Sequence, residues 1–191
     1  MTEPPESLAA DARRLIVAFE APNAELDDAR QQFLAFVDEH GSAAVDRDLR
    51  VGHLTASTVL LDDAHERVML TLHPLIGSWV QLGGHFEAGD VSSADAAARE
   101  VVEECGIVPA RLEAAPIGLD RHQVRCRDSS RTPGPSVHYD LTFLAIAPPG
   151  AEPRISDESL DLAWFPVDDL PDRADDVVRG LVARIRALGI S

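Results

Sequence analysis

Three glutamates constrain this chain more than any other feature. Glu100, Glu103 and Glu104 stand at i, i+3 and i+4, a spacing that brings all three carboxylates to one side of an α-helix. Like charges so placed oppose helix formation by about 0.2–0.5 kcal/mol per pair, so something must compensate them. A hard divalent cation with oxygen ligands does so directly; a solvated acidic helix with ordinary salt bridges is the other reading of the same run. Opposite the acids, Ala94, Ala97, Ala98, Val101 and Cys105 form a small-residue stripe at helical period, which would let the helix lie close to a sheet. One face is then expected to serve the core and the other the chemistry. Ser92 is the expected N-cap with Asp95 as its capping-box partner, and Gly106 takes the left-handed position that ends the helix.

Gly83, Gly84 and Gly89 precede this helix. Lacking a Cβ, they let the backbone bend tightly and approach a ligand, which leaves main-chain carbonyls available to a cation. The whole stretch resembles the signature of the Nudix hydrolases, G-x5-E-x7-R-E-U-x-E-E-x-G-U with U aliphatic. Arg99, Glu100, Val101, Glu103, Glu104, Gly106 and Ile107 fill its second half without a gap. The first half departs: with five residues between, Gly84 is followed by Asp90 rather than Glu, and eight residues, not seven, separate Asp90 from Arg99. A one-residue loop insertion with a shorter acid accounts for both differences. Alternatively Glu87, or no residue, takes the loop acid's place.

The resemblance spans roughly residues 52–188. It implies an α/β fold, a Nudix-type α/β/α sandwich around a mixed sheet, in a domain over residues 52–191 that follows an N-terminal helical extension over residues 1–51. It further implies that Glu103 and Glu104 are the principal ligands of Mg2+ or Mn2+, Glu100 a further ligand, the Gly84 carbonyl a main-chain ligand, and Arg99 the residue that orients the glutamates. The implied activity is metal-dependent hydrolysis of a diphosphate linkage, in a nucleoside diphosphate linked to another moiety or in a nucleoside triphosphate, by water attack on phosphorus. A catalytically weak or inactive domain that senses nucleotides is the alternative, motivated by the irregular loop. The isomerase branch of the fold needs a cysteine ahead of the signature, and none stands there.

Charge narrows the partners. The net charge is −16 and all 17 basic residues are arginine, which excludes a Schiff-base lysine, pyridoxal phosphate chemistry and a P-loop lysine. So acidic a surface repels nucleic acid polymers. A small nucleotide is the expected partner, gripped by a metal and local arginines. Cys105 and Cys126 lack the spacing of a metal or redox pair, and no apolar run approaches a membrane span. A cytoplasmic protein is expected, with a homodimer left open.

In chain order, residues 6–40 read as two helices with apolar stripes at Leu8, Ala12, Leu15, Ile16 and Phe19, and at Leu26, Ala29, Phe33, Phe36 and Val37. Asn23 caps the second. Strands are expected over residues 53–61, 67–73 and 79–82, one or two within 112–126, one over 137–147 and one over 162–165, with a closing helix over 170–188. His53 and His73 read as hydrogen-bonded strand histidines, while His85, just after the glycines, is a candidate for substrate contact. Arg121 and Arg125 share a strand face and could grip phosphate together. Residues 127–135 read as a loop near the site mouth, and Glu158 is a candidate extra acid beside Asp90.

Overall fold

The computed structural model describes residues 7–125, 135–156 and 159–190, with the side chains of Arg125 and Pro135 left aside. Two helices open it, α1 (Leu8–Ala18) and α2 (Ala24–His40). The Ser7 hydroxyl caps α1 by accepting from the Ala10 amide, and the Asn23 side chain caps α2 by accepting from Leu26, each satisfying a helix-start donor. A short 3-10 helix, Gly41–Val45, leads out of the pair.

A mixed eight-stranded sheet follows. Its centre is β1 (His53–Leu61), buried along its whole length. β2 (Arg67–Leu72) returns beside the C-terminal end of β1. β3 (Trp79–Val80) pairs with β2, and β4 (Leu82–His85) pairs with β1 through Thr55–His85 and Ser57–Gly83. The helix α3 (Ser93–Cys105) comes next, followed by β5 (Arg111–Leu112) and β6 (Gly118–Arg125). β7 (Pro135–Ile146) runs parallel to β1 from His53–His138 to Leu61–Ile146 and antiparallel to β5 and β6. β8 (Asp161–Pro166) pairs with β2, and α4 (Asp176–Ala187) closes the chain.

Strand alternation divides the sheet into two faces. Leu54, Ala56, Leu119, Leu141 and Phe143 meet Ile16, Phe33, Phe36, Ala96 and Ala97, so the first two helices and the start of α3 cover one face. Further along that face Leu60, Met69 and Ala145 pack on Val101, Cys105 and Ile107. On the other face Val59, Leu61, Val68, Leu70 and Leu144 pack on Val178, Leu181, Val182 and Ile185 of α4. The expected α/β/α sandwich with an N-terminal helical region is therefore present. The Tyr139 ring stacks on Phe36 at 4.1 Å and meets Phe33 edge-on at 5.2 Å, which ties α2 to β7.

Three expectations shift. The strand before α3 does not end at residue 82 but carries Gly83 and Gly84 inside β4. A Cβ on Gly83 would lie 2.5 Å from that of Ser57, so this glycine serves close strand packing and not a bend. The closing helix starts at Asp176, not at residue 170. Pro171 and a backbone exchange hold the intervening residues: Trp79 donates to the Arg173 carbonyl and Asp175 to the Trp79 carbonyl, both at 2.9 Å. The Asp175 side chain then caps α4 at Val177.

The third shift concerns α3. Its buried residues are Ser93, Ala96, Ala97, Glu100, Val101, Glu104 and Cys105, while Ala94 and Ala98 are only partly buried. Two of the three glutamates thus stand on the inward side with the apolar residues instead of opposite them. The glycines of β4 leave room there that larger side chains would fill.

Candidate active site

The caps of α3 set its rotation and thereby the direction of its acids. The Ser92 hydroxyl accepts from the Asp95 amide at 3.1 Å, the Asp95 carboxylate reaches back to the Val91 amide at 3.2 Å, and Gly106 ends the helix at φ 70°. The helix then presents Arg99 to the turn that follows β4.

Arg99 gathers the acids. Its Nε donates to Asp90 Oδ1 at 3.0 Å and its Nη2 to Asp90 Oδ2 at 3.2 Å. Nη2 also donates to the His85 carbonyl at 2.8 Å. Nη1 bridges Glu100 Oε1 at 2.9 Å and Glu103 Oε2 at 2.8 Å. These carboxylates, Asp90 foremost, hold the guanidinium charged well above its ordinary range. Asp90 also accepts from the Glu87 amide at 2.7 Å and is 9% exposed, whereas Glu87 points to solvent. The acid that engages Arg99 is therefore Asp90.

Glu100 and Glu104 are buried, and Glu104 accepts from the Gly83 amide at 2.9 Å. The Glu103 side chain is 52% exposed. A Cβ on Gly84 would lie 2.6–2.8 Å from the carboxylate atoms of Glu100, so only glycine lets this acid approach the β4 backbone. Asp90, Glu100 and Glu103 thus crowd around one guanidinium, while Glu104 is bonded to the β4 backbone. An all-oxygen donor set in such surplus suits a hard divalent cation better than it suits arginine alone. Burial pushes the Cys105 thiol up to about 11, which makes it a core residue and not a nucleophile.

Arg121 is exposed, with its guanidinium carbon 5.5 Å from the centre of the Tyr139 ring. Arg125 ends β6. Glu158 and the loop over residues 127–135, save Pro135 at the start of β7, lie outside the described residues. The backbone of His85 touches Arg99, but its ring turns to the opposite sheet face, where it meets the rings of His53 at 4.9 Å and His138 at 5.2 Å. Burial and the neighbouring His53 push His85 down to about 4.

Sequence reasoning missed the polar floor of that second face. Asp140, 5% exposed, accepts from Thr55 Oγ1 at 2.8 Å, from Thr142 Oγ1 at 3.0 Å and from Ser57 Oγ. Burial raises its pKa against the pull of these hydroxyls. Beside it, His122 pairs with Asp120 at 2.5 Å, which raises the imidazole above its ordinary value. The signal was an alternation of polar residues, 53/55/57 and 138/140/142, in otherwise apolar strands. His53 also corrects an expectation, since neither ring nitrogen makes a hydrogen bond of regular geometry.

The NUDIX domain sequence profile matches residues 52–185. The chain belongs to the NUDIX family. It is a Nudix pyrophosphohydrolase, and Nudix hydrolases in general work with divalent metal ions. A NUDIX-family hydrolase from Clostridium perfringens is 23% identical, with a TM-score of 0.53 over 72% of this chain and 97% of that one. The NUDIX domain of Shewanella oneidensis NrtR, solved with ADP-ribose, is 21% identical with a TM-score of 0.52 over 79% and 97%. A MutT NUDIX hydrolase from Burkholderia pseudomallei is 22% identical with a TM-score of 0.50 over 69% and 96%. At these identities the likeness is one of fold. No curated protein matches the chain.

Proposed function

We propose that this Nudix chain hydrolyses a diphosphate linkage in a small nucleotide, with Mg2+ or Mn2+ held by Glu100, Glu103, Glu104 and the Gly84 carbonyl. The preferred substrate class is a nucleoside diphosphate linked to another moiety, with nucleoside triphosphates second. One observation carries the reading: Arg99 converges Asp90, Glu100 and Glu103 on the end of β4 while Glu104 is fixed on the Gly83 amide. When bound, the ion supplies charge neutralisation on phosphate oxygens and favours water as a nucleophile.

The chain's own residues do the rest. Arg99 keeps the acids at a common height and ties them to the loop through the His85 carbonyl. Exposed Glu103 is the acid placed to exchange partners when a substrate arrives and to accept a proton from water. Buried Glu100 and Glu104 are held against β4, which limits the reorganisation the site needs. That the NrtR domain was solved with ADP-ribose puts nucleoside diphosphate sugars first in the test. A cytoplasmic setting accords with the absence, among the described residues, of any helix long and apolar enough to cross a membrane.

The test is cleavage of a panel of nucleoside diphosphate derivatives and triphosphates by the purified chain, with Mg2+, with Mn2+ and with chelator, products being identified. Chelator-sensitive cleavage of one class is expected. Nucleotide binding without cleavage across the panel would replace hydrolysis with sensing.

A further inference from the structure

On the sheet face away from the carboxylates, three adjacent strands each direct one histidine to a common point. His53 comes from β1, His138 stands opposite it in register on β7, and His85 comes from β4, whose register pairs it with Thr55. Their ring centroids are 4.8 Å (His53–His138), 4.9 Å (His53–His85) and 5.2 Å (His85–His138) apart. One nitrogen from each lies within 4.8 Å of the others.

The polar accounting at this point does not close. A neutral imidazole carries one donor and one acceptor, and when buried it normally satisfies both. His53 is 1% exposed, yet among the described residues neither of its nitrogens finds a hydrogen-bond partner, and His85 Nε2 is also buried without one. The Leu49 backbone is near enough to His53 to offset part of the burial effect on its pKa, without a bond of regular geometry. Two imidazoles, those of His53 and His85, with buried nitrogens left without hydrogen bonds beside a third ring are an expensive arrangement in a core. It becomes favourable when a cation accepts their lone pairs.

We propose that His53, His85 and His138 form a second cation site, selective for a divalent transition-metal ion of the zinc class and chemically distinct from the carboxylate site. Imidazole nitrogen suits a borderline ion, whereas carboxylate and carbonyl oxygens suit Mg2+ or Mn2+. Zinc–nitrogen bonds of about 2.0–2.1 Å need ligand nitrogens about 3.4 Å apart in a tetrahedron. The ligand nitrogens must therefore close in from the 4.8 Å limit by up to about 1.4 Å, within reach of χ rotation in the half-buried His85 and His138. Three protein nitrogens leave a fourth position for water or a substrate group. Around the site, Arg47 opposes a cation while Asp46 and Asp48 favour it, and Arg99 acts in the same sense as Arg47 on His85. His122, whose ring lies 5.4 Å from that of His138, is engaged with Asp120 and stands as an outer partner. A bound ion would join β1, β4 and β7 one residue beyond Gly84, at the root of the loop that carries Asp90. The inference does not depend on the hydrolase reading.

The test uses the full chain stripped of metal, titrated with Zn2+ against a chromophoric chelator in excess Mg2+, which occupies the oxygen site. Co2+ serves as a second, spectroscopic probe. A single tight equivalent of Zn2+ is expected, with the intense visible bands of four-coordinate Co2+. His138→Gln and His53→Ala should weaken Zn2+ binding by at least about 100-fold, since loss of even an outer-shell partner costs 10–100-fold. Glu103→Gln should leave it unchanged. Circular dichroism checks folding, and should His53→Ala not fold, the less buried His138→Gln decides alone. Failure to retain Zn2+ under excess Mg2+, or binding indifferent to His138→Gln, would overturn the site. So would six-coordinate Co2+ lost in Glu103→Gln, which would place the ion among the carboxylates.

Discussion

β4 separates two polar clusters that differ in how their groups are compensated. On the α3 side of Gly84, Asp90, Glu100 and Glu103 are tied to Arg99, and Glu104 rests on a backbone amide. On the other side of the same strand, His53 and His85 turn ring nitrogens into the core with nothing to bond. The carboxylate cluster is charged and keeps its shape through an internal cation; the histidine cluster is neutral and keeps its shape through the strands alone. A charged cluster should therefore collapse when its compensating group is removed. One built on neutral imidazoles should tolerate removal of its members as long as no ion is bound.

The largest expected effect is that of Arg99→Ala, which leaves several acids crowded and unpaired. We expect a loss of about 3 kcal/mol in urea unfolding without metal, part of it recovered in Mg2+; an unchanged midpoint would mean that the acids are held by their own elements. Next, Glu103→Gln should keep the fold and lower turnover by about 100-fold or more, in line with loss of a metal ligand. Undiminished cleavage would remove Glu103 from the cation site. Asp90→Asn should cost about 10-fold in kcat, the scale of an outer-shell partner. Because Asp90 already grips Arg99, deleting Val91 together with Asp90→Glu should bring no sharp gain, and a large gain would show the loop to be degenerate.

Smaller effects belong to the histidine side. His53→Leu removes an unsatisfied buried imidazole and should raise the stability of the metal-free chain by about 1 kcal/mol; a marked loss, read in the same unfolding assay, would reveal a partner for this ring. Acid should then separate the two clusters. Burial lowers the folded pKa of His53, of His85 to about 4 and of His138 to about 2, from the ordinary 6.5. Below pH 6.5 the unfolded chain binds protons that the folded chain refuses, so this stability is present above that value and is lost as pH falls toward 4. His122, raised by Asp120, acts in the opposite sense and contributes more below its folded pKa than above it. A stability profile flat between pH 7 and 5, unaltered by His53→Leu, would contradict the burial of these rings.

Much of this was legible in the chain. The i, i+3, i+4 glutamates, Ser92, Asp95 and Gly106 specify α3 with its ends, because helix periodicity and capping act within a few residues. Runs rich in β-branched and apolar residues likewise marked β1 and β7, and Asn23 marked the start of α2. The inward position of Glu100 and Glu104 was not legible. It depends on β4 crossing beneath α3 with glycine at 83 and 84, so that carboxylates fill space that an apolar helix face would otherwise claim. Nor could the start of α4 be read, since Trp79, far away in sequence, holds Arg173 and Asp175 in extended exchange.

By itself the sequence determined the family, the helix that carries the acids and the face alternation of each strand, because these depend on neighbours within a turn or two of backbone. Only the tertiary structure decided that Asp90 rather than Glu87 meets Arg99, that Arg121 lies over Tyr139, and that histidines at 53, 85 and 138 share one point. Those outcomes rest on strand order and register, parallel β1–β7 and antiparallel β1–β4, which join residues that no local spacing connects.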